Sequence, residues 1–210
     1  MNAFIFDLDG VLVFTDKYHY QAWKKLADRL GIYFDEEINN RLRGISRMQS
    51  LDIVLEKYDG EVPPEEKLKL ADEKNETYRT LLSAMTPADV TDEVRETLFE
   101  LKNRGYRLAV GSSSRNTKFI LGRVGLTDMF DAISDGTNIT RSKPDPEVFL
   151  KAAEFLGEEP AKCIVVEDAC AGIDAAKAAG MKAAGIGDAS GYEKTDFPIT
   201  TFSELLTLPI

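Results

Sequence analysis

Histidine is almost missing from this chain: His19 is the only one. A metal centre built from several imidazoles is therefore excluded. Cysteine is nearly as scarce, with Cys163 and Cys170 alone. Two cysteines do not make a disulfide scaffold and fit a reducing compartment better. No apolar run approaches the ~18 residues of a membrane span, so no membrane partner is expected. Positive charge is in deficit, 26 Lys and Arg against 36 Asp and Glu, for a formal charge of −10. That sign argues against a general nucleic-acid binder. It leaves room for a small anionic substrate, because a local cationic pocket can sit on an acidic protein. The opening from Met1 to Asp7 has no basic region and meets an acid at once. It does not read as a signal peptide, and a cytoplasmic location is expected. Internal repeats and low-complexity segments are also lacking.

What is present suits a packed core. The chain is 43% hydrophobic and 30% charged over 210 residues. That is one large domain, or one domain with a sizeable insertion. Short apolar runs alternate with amphipathic helices. Ala3-Phe4-Ile5-Phe6 is apolar throughout, as a strand covered on both faces should be. Arg107 to Val110, the weaker Ala132-Ile133, Cys163 to Val166 and Met181 to Ile186 follow. Between them, Asp92 is expected to cap a helix burying Val94, Leu98 and Leu101, with Gly105 as its stop. Asp145-Pro146 reads as N-cap and first helical residue of another, ending at Gly157. Gly172 to Ala179 reads as a short Ala-rich helix. This alternation predicts an α/β fold with a doubly wound parallel sheet.

The stretch after the first strand differs. Tyr18, Ala22, Leu26 and Leu30 recur every four residues and predict a helix from Asp16 or Lys17 to Leu30. Ile38 with Leu42 marks another, and Ser50 to Tyr58 a third. Pro63-Pro64 opens a fourth, with Leu68, Ala71, Tyr78 and Leu82 on its buried side. No strand is expected between roughly 15 and 84. The predicted organisation is an α/β core of 1–14 and 85–210, carrying an inserted α-helical cap domain of 15–84.

Ligands of open α/β sheets bind beyond the carboxyl ends of the strands. Here those ends carry Asp7 and Asp9, Ser112, and Glu167 with Asp168, while Lys143 just precedes Asp145. Each has an ordinary reading by itself: solvated turn acids, a hydroxyl in a turn, a surface lysine. Together they mean more. Four carboxylates at one edge repel unless a cation or shared protons relieve them. All-oxygen donors without histidine suit a hard cation, Mg²⁺, which completes its shell with water and phosphate. The Ser112 hydroxyl and the Lys143 ammonium can neutralise phosphate oxygens. Asp7, nearest the strand, is then the candidate nucleophile, and Asp9 the candidate general acid and base.

The string Asp7-Leu8-Asp9-Gly10-Val11, then Ser112, then Lys143-Pro144-Asp145-Pro146, then Glu167-Asp168, resembles the four motifs of the haloacid dehalogenase superfamily, in order and at matching spacings. Thr15 to His19 with Ala22-Trp23-Lys24, Arg43 to Arg47 with Ser50-Leu51, Lys74-Asn75 with Tyr78, Thr86 to Val90, and Ser112 to Asn116 resemble the β-phosphoglucomutase family within it. The likeness runs from about Phe4 to Gly187. It implies an aspartyl phosphate on Asp7, with Asp9 as acid and base. It implies Mg²⁺ held by Asp7, the Asp9 main-chain carbonyl and Asp168, with Glu167 at or next to the metal. Ser112 and Lys143 would hold the transferring phosphate. Arg47 would bind the distant phosphate, and His19, at the cap hinge, would help position the acid and base. Thr15, Trp23, Gly44, Ile45, Ser46, Lys74, Ser113, Ser114, Arg115 and Asn116 would line the sugar site. Two positions depart from the pattern: Phe14, where an acid usually precedes the hinge threonine, and Ala169, where serine often follows the Glu-Asp pair.

The resemblance implies a sugar-phosphate mutase interconverting β-glucose 1-phosphate and glucose 6-phosphate through a bisphosphate. A sugar-phosphate phosphatase with the same core is the alternative. A receiver module phosphorylated on aspartate would also gather carboxylates and a lysine at strand ends, but would not carry a helical insertion after its first strand. The expected partner is a small sugar phosphate, and the expected form a monomer.

Overall fold

The computed structural model describes residues 1–42 and 45–209. The chain divides into two compact units, one of residues 1–14 with 86–210 and one of residues 15–85.

The first unit is built on a six-stranded sheet, all parallel, in the order β3-β2-β1-β4-β5-β6. Its strands are β1 (Ala3–Phe6), β2 (Arg107–Gly111), β3 (Ala132–Ser134), β4 (Cys163–Glu167), β5 (Lys182–Gly185) and β6 (Phe197–Pro198). Every residue of β1 and β4 is buried, which explains their unbroken apolar runs. The pleat divides those residues between two faces. Ala3, Ile5, Ala109 and Val165 pack with Val148, Phe149, Ala152 and Leu156 of α7 (Glu147–Leu156) and Ile173 and Ala176 of α8 (Cys170–Ala178). Phe4 and Phe6 point the other way, Phe4 edge-on to Tyr106 and Phe6 against Phe130 and Phe202. The remaining helices of this unit are α5 (Asp92–Asn103) and α6 (Thr117–Val124).

The second unit is the inserted helical cap: α1 (Asp16–Arg29), α2 (Glu36–Asn40), α3 (Arg47–Val54) and α4 (Pro64–Leu82). No strand occurs among its described residues. Its core joins Trp23, Leu26 and Ala27 of α1 to Leu51 and Val54 of α3 and to Leu70 and Ala71 of α4. No described helix is long and apolar enough to cross a membrane.

Several local expectations are corrected. Thr91, not Asp92, caps α5; its hydroxyl accepts the Val94 N–H at 3.3 Å. α7 begins at Glu147, and Asp145 contributes by accepting the Glu147 N–H at 3.0 Å. Leu68 lies outside the buried stripe of α4, 57% exposed, and Leu70 and Lys74 take the inward positions. The phase of that stripe is hard to read, because a charged residue occupies one of its buried places. Helix α6 and strand β6 carry too short a pattern to be foreseen. Phe149→Ala, deep in the sheet–helix core, is expected to cost about 3–5 kcal/mol in urea unfolding. Leu68→Ala, on the open side of α4, is expected to change stability by less than about 0.5 kcal/mol.

Candidate active site

In this strand order the chain leaves β1 for neighbours on both sides, and ligands bind at such a switch point. Phe6 pairs with Val166 on one side and Val110 on the other, and the Asp7 N–H donates to the Val166 carbonyl at 2.9 Å. Register alone therefore brings Asp7 beside Glu167, with Ser112 just past the adjacent end of β2.

Asp7 is buried where β1 ends. The chain then turns tightly. The Gly10 N–H donates to the Val13 carbonyl at 2.7 Å, and the Leu12 and Val13 N–H groups both reach the Leu8 carbonyl. Gly10 has φ +84°, and a Cβ there would stand 2.0 Å from an Asp168 carboxylate oxygen. Only glycine allows the turn and the close approach of Asp168 together.

Lys143 ties the edge together. Its ammonium donates to Asp7 Oδ1 and to Glu167 Oε1, and it lies 4.8 Å from the centre of the Phe149 ring. Burial by itself would strip its proton, but the two carboxylates outweigh that and hold it charged. The other Glu167 oxygen accepts the N–H groups of Asp168 and Ala169 at 3.0 and 3.1 Å. Both oxygens of Glu167 are thus engaged within the protein. Gly172 makes room for it, since a Cβ there would sit 1.9 Å from the Glu167 carboxyl. Burial, and then the Lys143-opposed repulsion of Asp7, pushes Glu167 above its ordinary range. Asp168 is pushed up to about 8, by burial first and by Asp7 and Glu167 next.

Glu147, which belongs to none of the motifs, helps to set Lys143. Glu147 Oε2 accepts the N–H groups of Thr140 and Arg141 at 3.0 and 2.8 Å, pinning the loop before Lys143 to the start of α7. The signal was present in the sequence, an acid in the first turn of a capped helix.

Beyond β2, Ser112 is 2% exposed, and its hydroxyl accepts the Ser114 N–H at 3.2 Å. The Ser114 hydroxyl accepts the Asn116 N–H at 3.2 Å. Asn116 is buried and Arg115 exposed. The segment from Ser112 through Ser113 to Asn116 is a folded loop leading into the N-terminus of α6, where main-chain N–H groups favour an anion.

The helical unit holds a second cluster. Lys74, 3% exposed, lies 2.9 Å from His19 Nδ1, with its ammonium 4.6 and 4.5 Å from the Trp23 and Tyr78 ring centres. His19 stacks on Tyr78 at 4.0 Å. Burial first, and then Lys74 and Arg47, lowers His19 well below the usual histidine range. A neutral His19 that accepts from Lys74 at Nδ1 carries its proton on Nε2. Tyr78 donates to the Thr15 hydroxyl at 3.1 Å. Arg47 donates to Asn75 Oδ1 at 2.9 Å and stands 3.5 Å from Asp72. Ser46 caps α3 in a reciprocal pair with Gln49, and Ile45 is half-buried in the bend before it. Gly44, another position assigned to the sugar site, lies outside the described residues.

A profile of the haloacid dehalogenase-like hydrolases matches residues 1–180. The chain belongs to that family. It is 42% identical to the β-phosphoglucomutase of Bacillus subtilis over 98% of its own length and 92% of that protein's. It is 31% identical to a phosphorylated carbohydrates phosphatase of Thermotoga maritima, over 87% of this chain and 83% of the relative. A crystal structure of β-phosphoglucomutase from Clostridium difficile superposes with a TM-score of 0.91 at 39% identity, covering 98% of this chain and 93% of that one. This haloacid dehalogenase-like protein is thus a β-phosphoglucomutase-like phosphotransferase, and phosphatases of the family are also among its relatives.

The donor set at the strand ends fits a hard cation. Among the described residues, no group of three or more His, Cys, Asp or Glu side chains is arranged to hold a metal ion by itself. Asp168 is nevertheless pushed up to about 8, by burial first and then by the charges of Asp7 and Glu167, and a bound cation would relieve both. Mg²⁺ typically takes one or two carboxylates and fills its remaining positions with water and phosphate.

In metal-free protein, Asp168 should contribute stability that is lost as pH rises from about 4 to 8. Over that range folded Asp168 holds a proton that unfolded aspartate has released, so folding is favoured at the acid end. Asp168→Asn should flatten that slope in thermal melts with chelator present. Lys143→Ala should cost about 3–5 kcal/mol near pH 8 by leaving buried carboxylates uncompensated. Part of that loss should return on acidification, because Glu167 is already pushed toward its protonated form by burial.

Proposed function

We propose that this protein is a Mg²⁺-dependent sugar-phosphate mutase that interconverts β-glucose 1-phosphate and glucose 6-phosphate by way of a bisphosphate and an aspartyl phosphate on Asp7. The observation that carries the reading is Asp7 gripped by Lys143 at the switch point of the sheet.

Asp7 attacks the phosphorus of the sugar bisphosphate. The bond from phosphorus to the sugar oxygen breaks, and Asp9 gives that oxygen its proton. In the return half, the hydroxyl of a sugar monophosphate loses its proton to Asp9 and attacks the phosphorus, releasing Asp7. Lys143 and the Ser112 hydroxyl, with the N–H groups of its loop, bear the charge of the moving phosphoryl group. Asp7, the Asp9 main-chain carbonyl and Asp168 would hold Mg²⁺, with Glu167 anchoring Lys143 beside them. When bound, Mg²⁺ supplies positive charge that offsets the phosphoryl oxygens and the crowded carboxylates.

Mutase chemistry needs a second phosphate-binding group, because the bisphosphate must present either end to Asp7. Arg47, with Asn75 and the Lys74–His19 pair in the same unit, supports that role: guanidinium binds phosphate bidentately. The α/β unit is then the catalytic domain, acting as a monomer in the cytoplasm, and the helical unit selects the acceptor. The phosphatase named among the relatives favours the second reading, a sugar-phosphate phosphatase in which water takes the phosphoryl group from Asp7.

Phosphorus NMR with Mg²⁺, β-glucose 1-phosphate and a trace of bisphosphate separates the two. A mutase gives glucose 6-phosphate with little inorganic phosphate; accumulation of inorganic phosphate at the same rate would favour hydrolysis. Asp7→Asn should abolish turnover and leave the melting temperature near wild type. Asp9→Asn should lower kcat by about 10²–10⁴-fold, since an amide moves no proton. Arg47→Ala should raise KM for sugar phosphates by about 10–100-fold, the worth of a charged hydrogen bond. Self-phosphorylation by acetyl phosphate should suffer much less.

A further inference from the structure

The turn after β3 is pressed against the Ser112–Asn116 loop, and no motif drew attention to it. Two main-chain hydrogen bonds join them: the Ser112 N–H to the Ser134 carbonyl, and the Gly136 N–H to the Ser114 carbonyl, each 3.1 Å. Between these two ties the contact is backbone on backbone. A Cβ on Gly136 would stand 2.4 Å from the Ser113 carbonyl oxygen, 2.8 Å from Arg115 Cγ and 3.0 Å from the Arg115 nitrogen. Gly136 is not among the glycines with positive φ, so it is needed for space rather than for backbone conformation.

The turn is itself held rigid. Asp135 is 1% exposed, and its Oδ1 accepts the Thr137 N–H at 2.9 Å and the Thr137 hydroxyl at 2.5 Å. Asn138 Oδ1 accepts the Asp135 N–H and the Ser134 hydroxyl, each at 3.2 Å. Two buried polar atoms remain without a hydrogen-bond partner among the described residues, Asp135 Oδ2 on the turn and Ser113 Oγ on the loop. A buried polar atom left unpaired carries a free-energy cost, because it has given up its hydrogen bonds to water. Such a cost falls where the loop's exact place matters.

We propose that Asp135 and Gly136 are positioning residues that set the Ser112–Asn116 loop for phosphate, given the phosphate-holding role proposed above for Ser112. Asp135 fixes the turn, and Gly136 lets it seat directly under the loop. Neither touches the substrate; both act through the position of Ser112 and the N–H groups beside it.

The test measures competitive inhibition by inorganic phosphate, alongside KM, kcat and melting temperature, in the Mg²⁺-loaded full chain. Gly136→Ala and Asp135→Ala should weaken phosphate inhibition by about tenfold or more and lower the rate of Asp7 phosphorylation by acetyl phosphate, as misplacement by a fraction of an ångström does. Asp135→Asn keeps the acceptor for Thr137 and should stay close to wild type. Should Gly136→Ala not fold, Thr137→Val loosens the same turn and should weaken phosphate in the same direction. Phosphate inhibition unchanged in folded Asp135→Ala and Thr137→Val would overturn the proposal. A wild type insensitive to phosphate, with full turnover in Asp7→Asn, would instead overturn the phosphoryl-transfer reading and this proposal with it.

Discussion

A single buried ammonium organises the strand ends. Lys143 reaches Asp7 at the end of β1 and Glu167 at the end of β4. Without it, Asp7, Glu167 and Asp168 would crowd one edge with no cation supplied by the protein. Taking such charges out of water costs several kcal/mol per ion, and only close pairing with full hydrogen bonding offsets that cost. Glu167 meets the condition by spending one oxygen on Lys143 and the other on two main-chain N–H groups. Asp168 does not meet it and is left with a raised proton affinity. The imbalance leaves the edge short of positive charge, as the proposed cation site requires.

The rest of the α/β unit keeps that edge in place. Parallel pairing of β1 with β4 sets Asp7 against Glu167. Gly10 and Gly172, which have no side chain, leave open the space that the two late carboxyls fill. Glu147 pins the loop that carries Lys143, and Phe149 lies beneath its ammonium. The helical unit repeats the logic with different groups. Lys74 is buried against aromatic faces and an imidazole, which pair with its charge without neutralising it.

The acids of the candidate site were legible because they form a strict string at strand ends: Asp7 and Asp9 with a glycine next, then Glu167-Asp168 after four apolar residues. Ser112 and Lys143 became legible only jointly, through the order and spacing of the motifs. Glu147, Gly136 and Gly172 were passed over, because support from behind a site has no periodicity and no motif. Leu68 shows the limit within a helix: its spacing fits the apolar stripe, but the inward places go to Leu70 and to Lys74, the latter buried against Trp23 and His19 of α1 and Tyr78 of α4.

By itself the sequence determined the alternation of buried strands and amphipathic helices, the helical insertion after the first strand, and the identity of the charged groups near the strand ends. Those properties are local, written in runs, periods and turn residues a few positions apart. Tertiary structure decided which oxygen faces which nitrogen. Asp7 and Lys143 lie 136 residues apart in the chain, and their meeting is fixed by sheet register and by the seat of one loop. Neither of these is encoded within a short window of sequence.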